Sequence, residues 1–382
     1  MTADLGPTDR SAGALTFPAL AAASSAGLDT PRVVVDVARV DANIARLEAE
    51  MDARGIALRP HAKTHKSIEV ARRQLAAGAG GITVGTLGEA EVFVGAGIAD
   101  VFVAYPVRAE GAKAARLRAV HRVAPGIRVG VDSAGSASLL AAATAGNGTP
   151  LRVLVEVDPG NRRTGLASPE AAVAVARAAR DSRLEVLGVF SHGGHGYRIG
   201  GASAAGADEV RSLTAAAGAL RDAGFAIQVV SAGSTPTMLT AASGAVTEMR
   251  AGTYVYGDRQ QWALESIPPA GCALAVAATV VSAHEERIVL DAGAKALTKD
   301  RAEWLTGYGA IVGYPELIIE RVNDYHGIVT APSHRVRPTL GEVVAIVPNH
   351  VCPVVDLVDE LTAVAADGTV ATWPVDARGR SG

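Results

Sequence analysis

Cysteine is scarce in this chain of 382 residues, where only Cys272 and Cys352 occur. Two cysteines cannot form a disulfide framework in a chain of this length, and their scarcity favours a reducing compartment. Charge of one sign is not in excess either, because 36 basic residues face 39 acidic ones for a net charge of −3. The chain therefore lacks the basic surface that nucleic acids and anionic membranes attract.

Long hydrophobic runs are missing as well, since no apolar segment reaches membrane-spanning length without a charge, a glycine or a proline. Residues 1–27 mix Gly, Pro, Ser and Ala. Their alanine-rich part has no basic lead-in and is interrupted by Pro18, so they form a poor signal peptide. We predict an N-terminal tail over 1–27 and a cytoplasmic protein that acts on a small molecule, without nucleic-acid or membrane partners.

What the chain does contain is a regular alternation of β-branched runs and Ala-rich amphipathic stretches. Helical spacers between strands imply parallel strands with right-handed crossovers. About eight such units favour a closed (β/α)8 barrel over an open doubly wound sheet, and no G-x-G-x-x-G turn follows the first strand. We predict a barrel over residues 28–268, with strands at 32–36, 58–63, 82–85, 101–105, 127–132, 152–158, 187–192, 227–231 and 246–249.

The pattern changes after about Ala270, where strands follow one another without helical spacers. Turn signals at Asp291-Ala292-Gly293 and Ala366-Asp367-Gly368 are typical of antiparallel pairs. We therefore predict a mainly antiparallel β domain over residues 269–382, with strands at 274–283, 287–291, 309–314, 327–329, 342–347 and 361–364.

The segment Arg59–Lys66 (RPHAKTHK) concentrates cations at the end of the second predicted strand. Lysine forms Schiff bases best when burial or neighbouring positive charge lowers its pKa. One hypothesis is that Lys63 is a reactive amine that holds a carbonyl cofactor. The alternative is a basic loop that binds phosphate or faces solvent.

Polar residues follow the other predicted strands, at the end of a barrel where active sites lie. The turn Ser231–Thr235 offers backbone N–H groups and hydroxyls that suit a phosphate, although an ordinary turn is an equal alternative. Arg163 lies in a Gly-bounded loop and could bind a cofactor oxygen or a substrate carboxylate in bidentate fashion. A surface salt bridge is the alternative.

Two further segments could complete the barrel mouth. The Gly-rich run 191–197 carries His192 and Tyr197, which are possible acid/base groups, unless the histidine only ends a strand. Residues 252–258, with Tyr254 and Asp258, could close the same pocket or could form a terminal strand with core tyrosines.

The C-terminal domain has its strongest signal at Pro348–Pro353. His350 and Cys352 would face the same side of an extended segment, where an imidazole and a thiolate can share one divalent metal. Two protein ligands leave positions for water or substrate. The alternative is a buried structural cysteine.

Three of these motifs together resemble the D-threonine aldolase and D-serine dehydratase family, pyridoxal-phosphate enzymes with the alanine-racemase-like fold. They are Arg59–Lys66, the Glu-x-Asp-x-Gly-x-x-Arg-x-Gly run at 156–165, and Pro-Asn-His-Val-Cys at 348–352. The resemblance extends from about Leu28 to the last predicted strand.

The resemblance implies a role for each candidate residue. Lys63 would be the Schiff-base lysine, and the turn with Gly233, Ser234 and Thr235 would hold the cofactor phosphate. Around the cofactor and substrate would lie Arg163 and Tyr197, with Tyr254 and Asp258 closing the pocket. A divalent metal (Zn, Mn or Mg) on His350 and Cys352 would hold the substrate's β-hydroxyl. His61 and His192 are candidates for proton transfer, and family members are commonly homodimers.

The reaction implied first is retro-aldol cleavage of a D-β-hydroxy-α-amino acid, as in D-threonine aldolases. The alternative is dehydration of D-serine or D-threo-3-hydroxyaspartate, because His-x-Cys is familiar from dehydratases whereas several aldolases carry His-x-Asp. More distant alternatives are an amino-acid racemase, which would not need His350 or Cys352, and a non-catalytic pyridoxal-phosphate carrier.

Overall fold

The computed structural model of the protein describes residues 16–382. They form two compact units that interleave along the chain. The barrel unit comprises Arg46–Lys63, Val70–Gly252 and Gly379–Gly382. The β unit comprises the described chain up to Ala45, together with Thr64–Glu69 and Thr253–Arg378. The observed division differs from the predicted boundaries at residues 27 and 268, because the segment before residue 45 and the short segment 64–69 both join the β unit.

The described residues contain helices and strands in nearly the predicted alternation. The helices are α1 (Ala19–Ser25), α2 (Val37–Asp52), α3 (Ile68–Ala76), α4 (Leu87–Gly95), α5 (Gly111–Val123), α6 (Ala134–Thr144), α7 (Pro169–Asp181), α8 (Ala202–Asp222), α9 (Arg259–Ala263), α10 (Ala294–Leu297) and α11 (Val351–Asp356). The strands begin with β1 (Arg32–Asp36), β2 (Ala57–Leu58), β3 (Ile82–Val84), β4 (Val101–Pro106), β5 (Arg128–Val131), β6 (Arg152–Glu156), β7 (Glu185–Phe190), β8 (Val229–Ala232) and β9 (Glu248–Met249). They continue with β10 (Leu274–Ala283), β11 (Arg287–Leu290), β12 (Ala310–Ile311), β13 (Ile318–Val322), β14 (Gly327–Thr330), β15 (Val343–Val347), β16 (Glu360–Val364) and β17 (Val370–Pro374).

The barrel unit is built on eight parallel strands in the order β2-β9-β8-β7-β6-β5-β4-β3. A parallel bridge between His61, just beyond β2, and Thr83 of β3 joins the two ends of this order, so the sheet closes on itself. Three of the crossover helices, α4, α6 and α7, begin at side-chain caps that accept a backbone N–H group, namely Thr86, Ser133 and Ser168. The predicted architecture, a parallel barrel and a mainly antiparallel β domain, is confirmed.

Aromatic and aliphatic side chains fill one part of the barrel interior. Phe102 and Phe190 meet edge to face, with ring centroids 5.0 Å apart, and pack with Leu154 and Leu187. The guanidinium of Arg250 lies 5.8 Å and 5.4 Å from the centroids of Phe102 and Phe190. A cation over aromatic faces is stabilised by the ring quadrupoles.

Another part of the interior is ionic. Glu248 Oε2 accepts from Arg59 Nε at 2.6 Å and from Arg128 at 3.1 Å, and Arg59 also binds Asp100 at 2.8 Å. Because β5 and β9 are not neighbours in the sheet, Arg128 and Glu248 meet across the barrel. Burial alone would raise the pKa of Glu248, but the two guanidiniums outweigh it and lower that pKa.

The β unit contains a mixed, mainly antiparallel sheet of nine strands within the described chain, ordered β13-β14-β11-β10-β1-β16-β17, with β15 on β10 and β12 on β15. The prediction that β1 belongs to the barrel is wrong. β1 lies antiparallel to β10 and parallel to β16, with Val34 opposite Ala275 and Thr362. Strands β13 and β17 were not predicted.

The predicted N-terminal tail has structure in its described part. Phe17, Ala19 and Ala23 of the α1 region pack with Val34 and Ala275 in one buried cluster. The rest of the predicted tail, residues 1–15, lies outside the described residues. Among residues 16–382, no helix combines the length and the apolar character needed to cross a membrane.

Candidate active site

Lys63 lies where the sequence predicted a reactive amine, in a single 3₁₀ turn (Ala62–Thr64) after β2. Its side chain is exposed, and its backbone N–H points to His61 Nδ1 at 3.4 Å. Pro60 precedes this turn and keeps the chain extended up to it. The structure thus presents the amine of Lys63 at the carboxyl end of a barrel strand, which is the end where barrel enzymes bind their substrates.

His192 follows β7 and is surrounded by cations. Burial is the largest cause that lowers its pKa, and Lys63, Arg163 and Arg250 lower it further, to about 3. Cations from three other strand ends, those of β2, β6 and β9, therefore act on one imidazole. A pKa of about 3 means that His192 is neutral at physiological pH. It can accept a proton there, but it cannot supply one from an imidazolium.

The loop after β6 that carries Arg163 is anchored by its own side chains. Asp158 Oδ1 accepts the backbone N–H groups of Gly160 at 2.9 Å and Arg162 at 3.0 Å. Arg162 adopts a φ of 54°, an uncommon region for arginine that these hydrogen bonds stabilise. Arg163 itself is exposed. Tyr197 lies near His192, with 6.3 Å between their ring centroids.

The predicted phosphate turn is fully buried. Gly233 has a φ of 112°, and a Cβ at this position would collide with the sulfur of Met249, so the backbone approaches its neighbours as only glycine allows. Thr235 is 1% exposed, and its Oγ1 has no hydrogen-bond partner among the described residues. An orphaned buried hydroxyl is the feature expected where a bound group completes the hydrogen bonding. This turn therefore fits a phosphate.

Tyr254 and Asp258 lie in the β unit and are both buried. The Asp258 carboxylate caps two helices, because it accepts the N–H of Gln261 in α9 at 2.8 Å and that of Val351 in α11 at 3.1 Å. Burial raises the pKa of Asp258 to about 6. The structure shows a structural task for Asp258, and its contact with a cofactor stays a prediction.

His350 and Cys352 lie side by side, but not on an extended segment as predicted. Helix α11 begins at Val351, so Cys352 lies in its first turn, where Pro353 is tolerated because the N–H groups there have no intrahelical partner. Burial by itself lowers the pKa of His350, but Cys352, Asp300 and Asp258 outweigh it and raise that pKa to about 11. The imidazole and the thiol are thus close enough to hydrogen-bond.

Two polar neighbours contact this pair. Asp300 Oδ2 lies 2.5 Å from His350 Nδ1, and Cys352 Sγ lies 3.3 Å from the Thr64 hydroxyl. A carboxylate on Nδ1 leaves Nε2 of the imidazole for a metal, the usual arrangement of metal-binding histidines. Within residues 16–382 no cluster of three or more His, Cys, Asp or Glu residues is arranged for a metal. An imidazole and a thiolate are donors that suit zinc, and two protein ligands leave positions for water or substrate.

Sequence inspection missed several residues that support these candidates. From sequence, no role was assigned to Arg250, Thr64, Asp300, Glu209 or Thr237. For Glu209 a signal exists, because it falls on the buried face of α8 with Ala205, Gly206, Leu213, Ala216, Ala217 and Leu220. A lone carboxylate in such a stripe indicates a buried partner.

A closed barrel with a lysine after an early strand, joined to a β domain, defines an alanine-racemase-like protein. A family model described as the N-terminal domain of alanine racemase matches residues 35–260, and the chain belongs to this family. A second model, described as a serine dehydratase domain, matches residues 273–364.

Individual relatives match over nearly their whole length. The D-threo-3-hydroxyaspartate dehydratase of Delftia sp. (strain HT23) is 36% identical over 91% of this chain and 97% of its own. Its solved structure has a TM-score of 0.85 at 35% identity, with 91% and 97% coverage. The D-threonine aldolase of Arthrobacter sp. is 38% identical over 96% of this chain and 97% of its own. The structure of D-threonine aldolase from Filomicrobium marinum has a TM-score of 0.82 at 31% identity, with 92% and 96% coverage.

Proposed function

We propose that the protein is a pyridoxal-phosphate- and divalent-metal-dependent lyase that acts on D-β-hydroxy-α-amino acids. The observation that carries this proposal is the His350–Cys352 pair, oriented by Asp300, in a chain whose barrel presents Lys63 at a cation-rich mouth. A racemase or a non-catalytic carrier has no use for a metal that binds a hydroxyl group. The relatives named above are a dehydratase and two aldolases of hydroxy amino acids, in agreement with this proposal.

Each group has residues that suit it. Lys63 would bind the cofactor covalently, the turn with Thr235 would hold its phosphate, and Arg163 would bind an oxygen of the cofactor or the substrate. Bound pyridoxal phosphate supplies the electron sink that bond breaking at Cα requires. His350 and Cys352 would hold the metal, whose Lewis acidity lowers the pKa of a β-hydroxyl.

The chain's own residues then handle protons. The Lys63 amine, when it is not bonded to the cofactor, would be placed to take a proton from Cα or return one to it. His192 is neutral and surrounded by cations, so it can accept a hydrogen bond or a proton but cannot act as a cationic acid. His61 lies beside Lys63 in the chain and is the second candidate for proton transfer.

Two outcomes differ in the bond that breaks. Cleavage moves the β-hydroxyl proton to a base, breaks Cα–Cβ and adds a proton at Cα, so D-threonine becomes glycine and acetaldehyde. Dehydration removes the Cα proton and the β-hydroxyl of D-serine as water, and hydrolysis of the dehydrated product then gives pyruvate and ammonia. We place cleavage first. Dehydration is the second candidate, because Cys352 stands where several aldolases of the family carry aspartate.

Product analysis with D-threonine and D-serine, with and without a chelator, tests the proposal. Glycine and acetaldehyde identify the aldolase, whereas 2-oxobutanoate or pyruvate with ammonia identify the dehydratase. Full activity after exhaustive chelation would remove the metal role of His350 and Cys352. Interconversion of D- and L-amino acids without either product would identify a racemase and would contradict the proposal.

A further inference from the structure

Glu209 is a completely buried carboxylate, and the proposed chemistry assigns it no role. It lies in α8 of the barrel unit with an exposed fraction of 0%. Taking a carboxylate out of water is costly unless hydrogen bonds compensate it. Its neighbours on the same face of α8 are alanine, glycine and leucine, so the compensation has to come from outside the helix.

Three donors from two strand ends provide it. Glu209 Oε1 accepts from the Ser191 hydroxyl at 3.0 Å and from the Gly233 backbone N–H at 3.0 Å. Glu209 Oε2 accepts from the Thr237 hydroxyl at 2.6 Å. Gly193 packs so closely against this carboxylate that a Cβ at that position would collide with it. Glu209 therefore joins the end of β7 to the turn that follows β8.

These contacts set the direction of the hydrogen bonds within the turn. A hydroxyl has one proton, and that of Thr237 is directed at Glu209. Thr237 Oγ1 can then only accept, and it does so from the Ser234 backbone N–H at 3.3 Å and from the Ser234 hydroxyl at 3.0 Å. The N–H of Gly233 and both donors of Ser234 are thus held inside the turn, whereas the Thr235 hydroxyl keeps no partner among the described residues.

We propose that Glu209 is a positioning residue for phosphate binding, which acts through Thr237 to fix the conformation and donor directions of the 233–237 turn. It makes no contact with the cofactor in this role. The inference rests on the proposed function, because it needs pyridoxal phosphate as the group whose phosphate the turn holds. It adds a residue to that function: a carboxylate behind the turn decides which of its donors remain available.

Glu209→Gln provides a sharp test, since it keeps the shape and reverses the polarity at Oε2. An amide NH₂ in that place donates a hydrogen bond to the Thr237 hydroxyl. The hydroxyl proton of Thr237 must then point toward Ser234, where it meets the backbone N–H and the hydroxyl proton that Thr237 accepts in the wild type. Thr237→Val removes the hydroxyl at constant size, whereas Thr237→Ser keeps it. Glu48→Gln, in the partly buried helix α2, is the matched control for loss of a helical carboxylate.

The measurements are made on the full-length apoprotein, reconstituted with pyridoxal phosphate. They are the dissociation constant from absorbance titration, the ³¹P chemical shift of the bound cofactor, and the melting temperature before the cofactor is added. We expect Glu209→Gln and Thr237→Val to raise the dissociation constant about tenfold or more, and to move the ³¹P signal, since a lost hydrogen bond to a charged group has effects of this size. Thr237→Ser and Glu48→Gln should stay within about threefold of wild type.

The outcomes separate this inference from the proposed function. If the wild-type chain does not bind pyridoxal phosphate, both fail. A different result separates them when the wild-type chain binds the cofactor. If Glu209→Gln and Thr237→Val then lower only the melting temperature, and leave the affinity and the ³¹P shift unchanged, the positioning role is overturned. The proposed function stands in that case. If Glu209→Gln does not fold, the comparison of Thr237→Val with Thr237→Ser decides in the same way.

Discussion

At the scale of single residues, the barrel mouth combines positively charged side chains with a neutral histidine and a buried hydroxyl. Lys63, Arg163 and Arg250 all act on the pKa of His192, while the Thr235 hydroxyl is buried without a partner among the described residues. Such an arrangement favours an anionic ligand that neutralises the cations and satisfies the hydroxyl. A phosphate-bearing cofactor has both properties.

Replacement of Lys63 by alanine removes the amine proposed to bind the cofactor covalently. Borohydride reduction should attach pyridoxal phosphate to the wild-type protein, as measured by intact mass, and should leave Lys63→Ala unlabelled and inactive on D-threonine. Lys113→Ala, on the exposed face of α5, is the control and should be labelled normally. A Lys63→Ala protein that is labelled and active would contradict the central proposal.

Asp300 should influence metal affinity without being a ligand. Loss of a carboxylate that orients a metal-binding histidine commonly weakens binding by about 10- to 100-fold. We expect Asp300→Asn to lower the affinity for Zn²⁺ within that range, as measured by competition with a chromophoric chelator. Asp324→Asn removes a carboxylate whose side chain is 70% exposed and should leave the affinity unchanged. Equal affinities in the two variants would rule out the orienting role.

The pKa of His192 predicts how acid acts on stability. It is lowered from 6.5 to about 3, so the unfolded chain takes up a proton at this residue between these pH values and the folded chain does not. His192 is therefore neutral for stability above about pH 6.5 and destabilises the fold progressively as the pH falls towards 3. Denaturant titrations at pH 7 and pH 5 measure this effect. Between pH 7 and pH 5, the free energy of unfolding should fall less for His192→Asn than for the wild type. Equal losses would show that His192 titrates normally in the folded state.

At the scale of elements, the barrel depends on ion pairs that cross its interior. Glu248 in β9 binds Arg59 after β2 and Arg128 in β5, and its Oε1 accepts from Ser231 in β8 at 2.6 Å. These bonds reach both neighbours of β9 in the sheet and one distant strand. The carboxylate thus stabilises the barrel at β2 and β9, which are strands of only two residues each.

Removal of this carboxylate leaves the buried guanidiniums of Arg59 and Arg128 with the half-exposed Asp100 as their remaining carboxylate partner among the described residues. We expect Glu248→Gln to lower the free energy of unfolding by about 3–5 kcal/mol, as measured by urea denaturation. Glu185→Gln breaks an ion pair with Arg152 whose side chains are 41% and 43% exposed, and it should cost at most about 1 kcal/mol. Similar values for the two variants would mean that the interior network contributes no more than a surface pair.

Helix α11 shows how one element depends on another that is distant in sequence. The Val351 N–H is capped by Asp258, which lies 93 residues earlier in the chain. The sequence predicted an extended segment at Pro348–Pro353, with His350 and Cys352 on one side of it. The helical turn forms because a tertiary cap satisfies its first N–H, and no local pattern contains that information.

At the scale of the whole molecule, the resemblance to the family implies a homodimer. We expect light scattering of the full-length protein to give the mass of two chains, unchanged on reconstitution with pyridoxal phosphate. A monomer mass across the accessible range of concentrations would contradict the homodimer and would leave the residues of the two proposed binding sites as described.

The sequence alone predicted much of the architecture, because buried parallel strands and their crossover helices leave a periodic signal in every βα unit. It did not predict the partners of β1. Arg32–Asp36 has the same β-branched pattern as a barrel strand, yet it pairs with Leu274–Ala283, more than two hundred residues away. The residue pattern of a strand indicates which of its faces are buried, but it does not indicate which other strand pairs with it.

The chemistry of the site divides in the same way. Lys63, the hydroxyl-rich turn and the His350–Cys352 pair were predicted as candidates from sequence, because reactive residue types at close spacing are themselves a local signal. The neutrality of His192, the support of His350 by Asp300 and the burial of Glu209 behind the turn were decided only in three dimensions. Each depends on charges and donors brought together from distant segments, since electrostatic and hydrogen-bond energies depend on distance in space rather than along the chain.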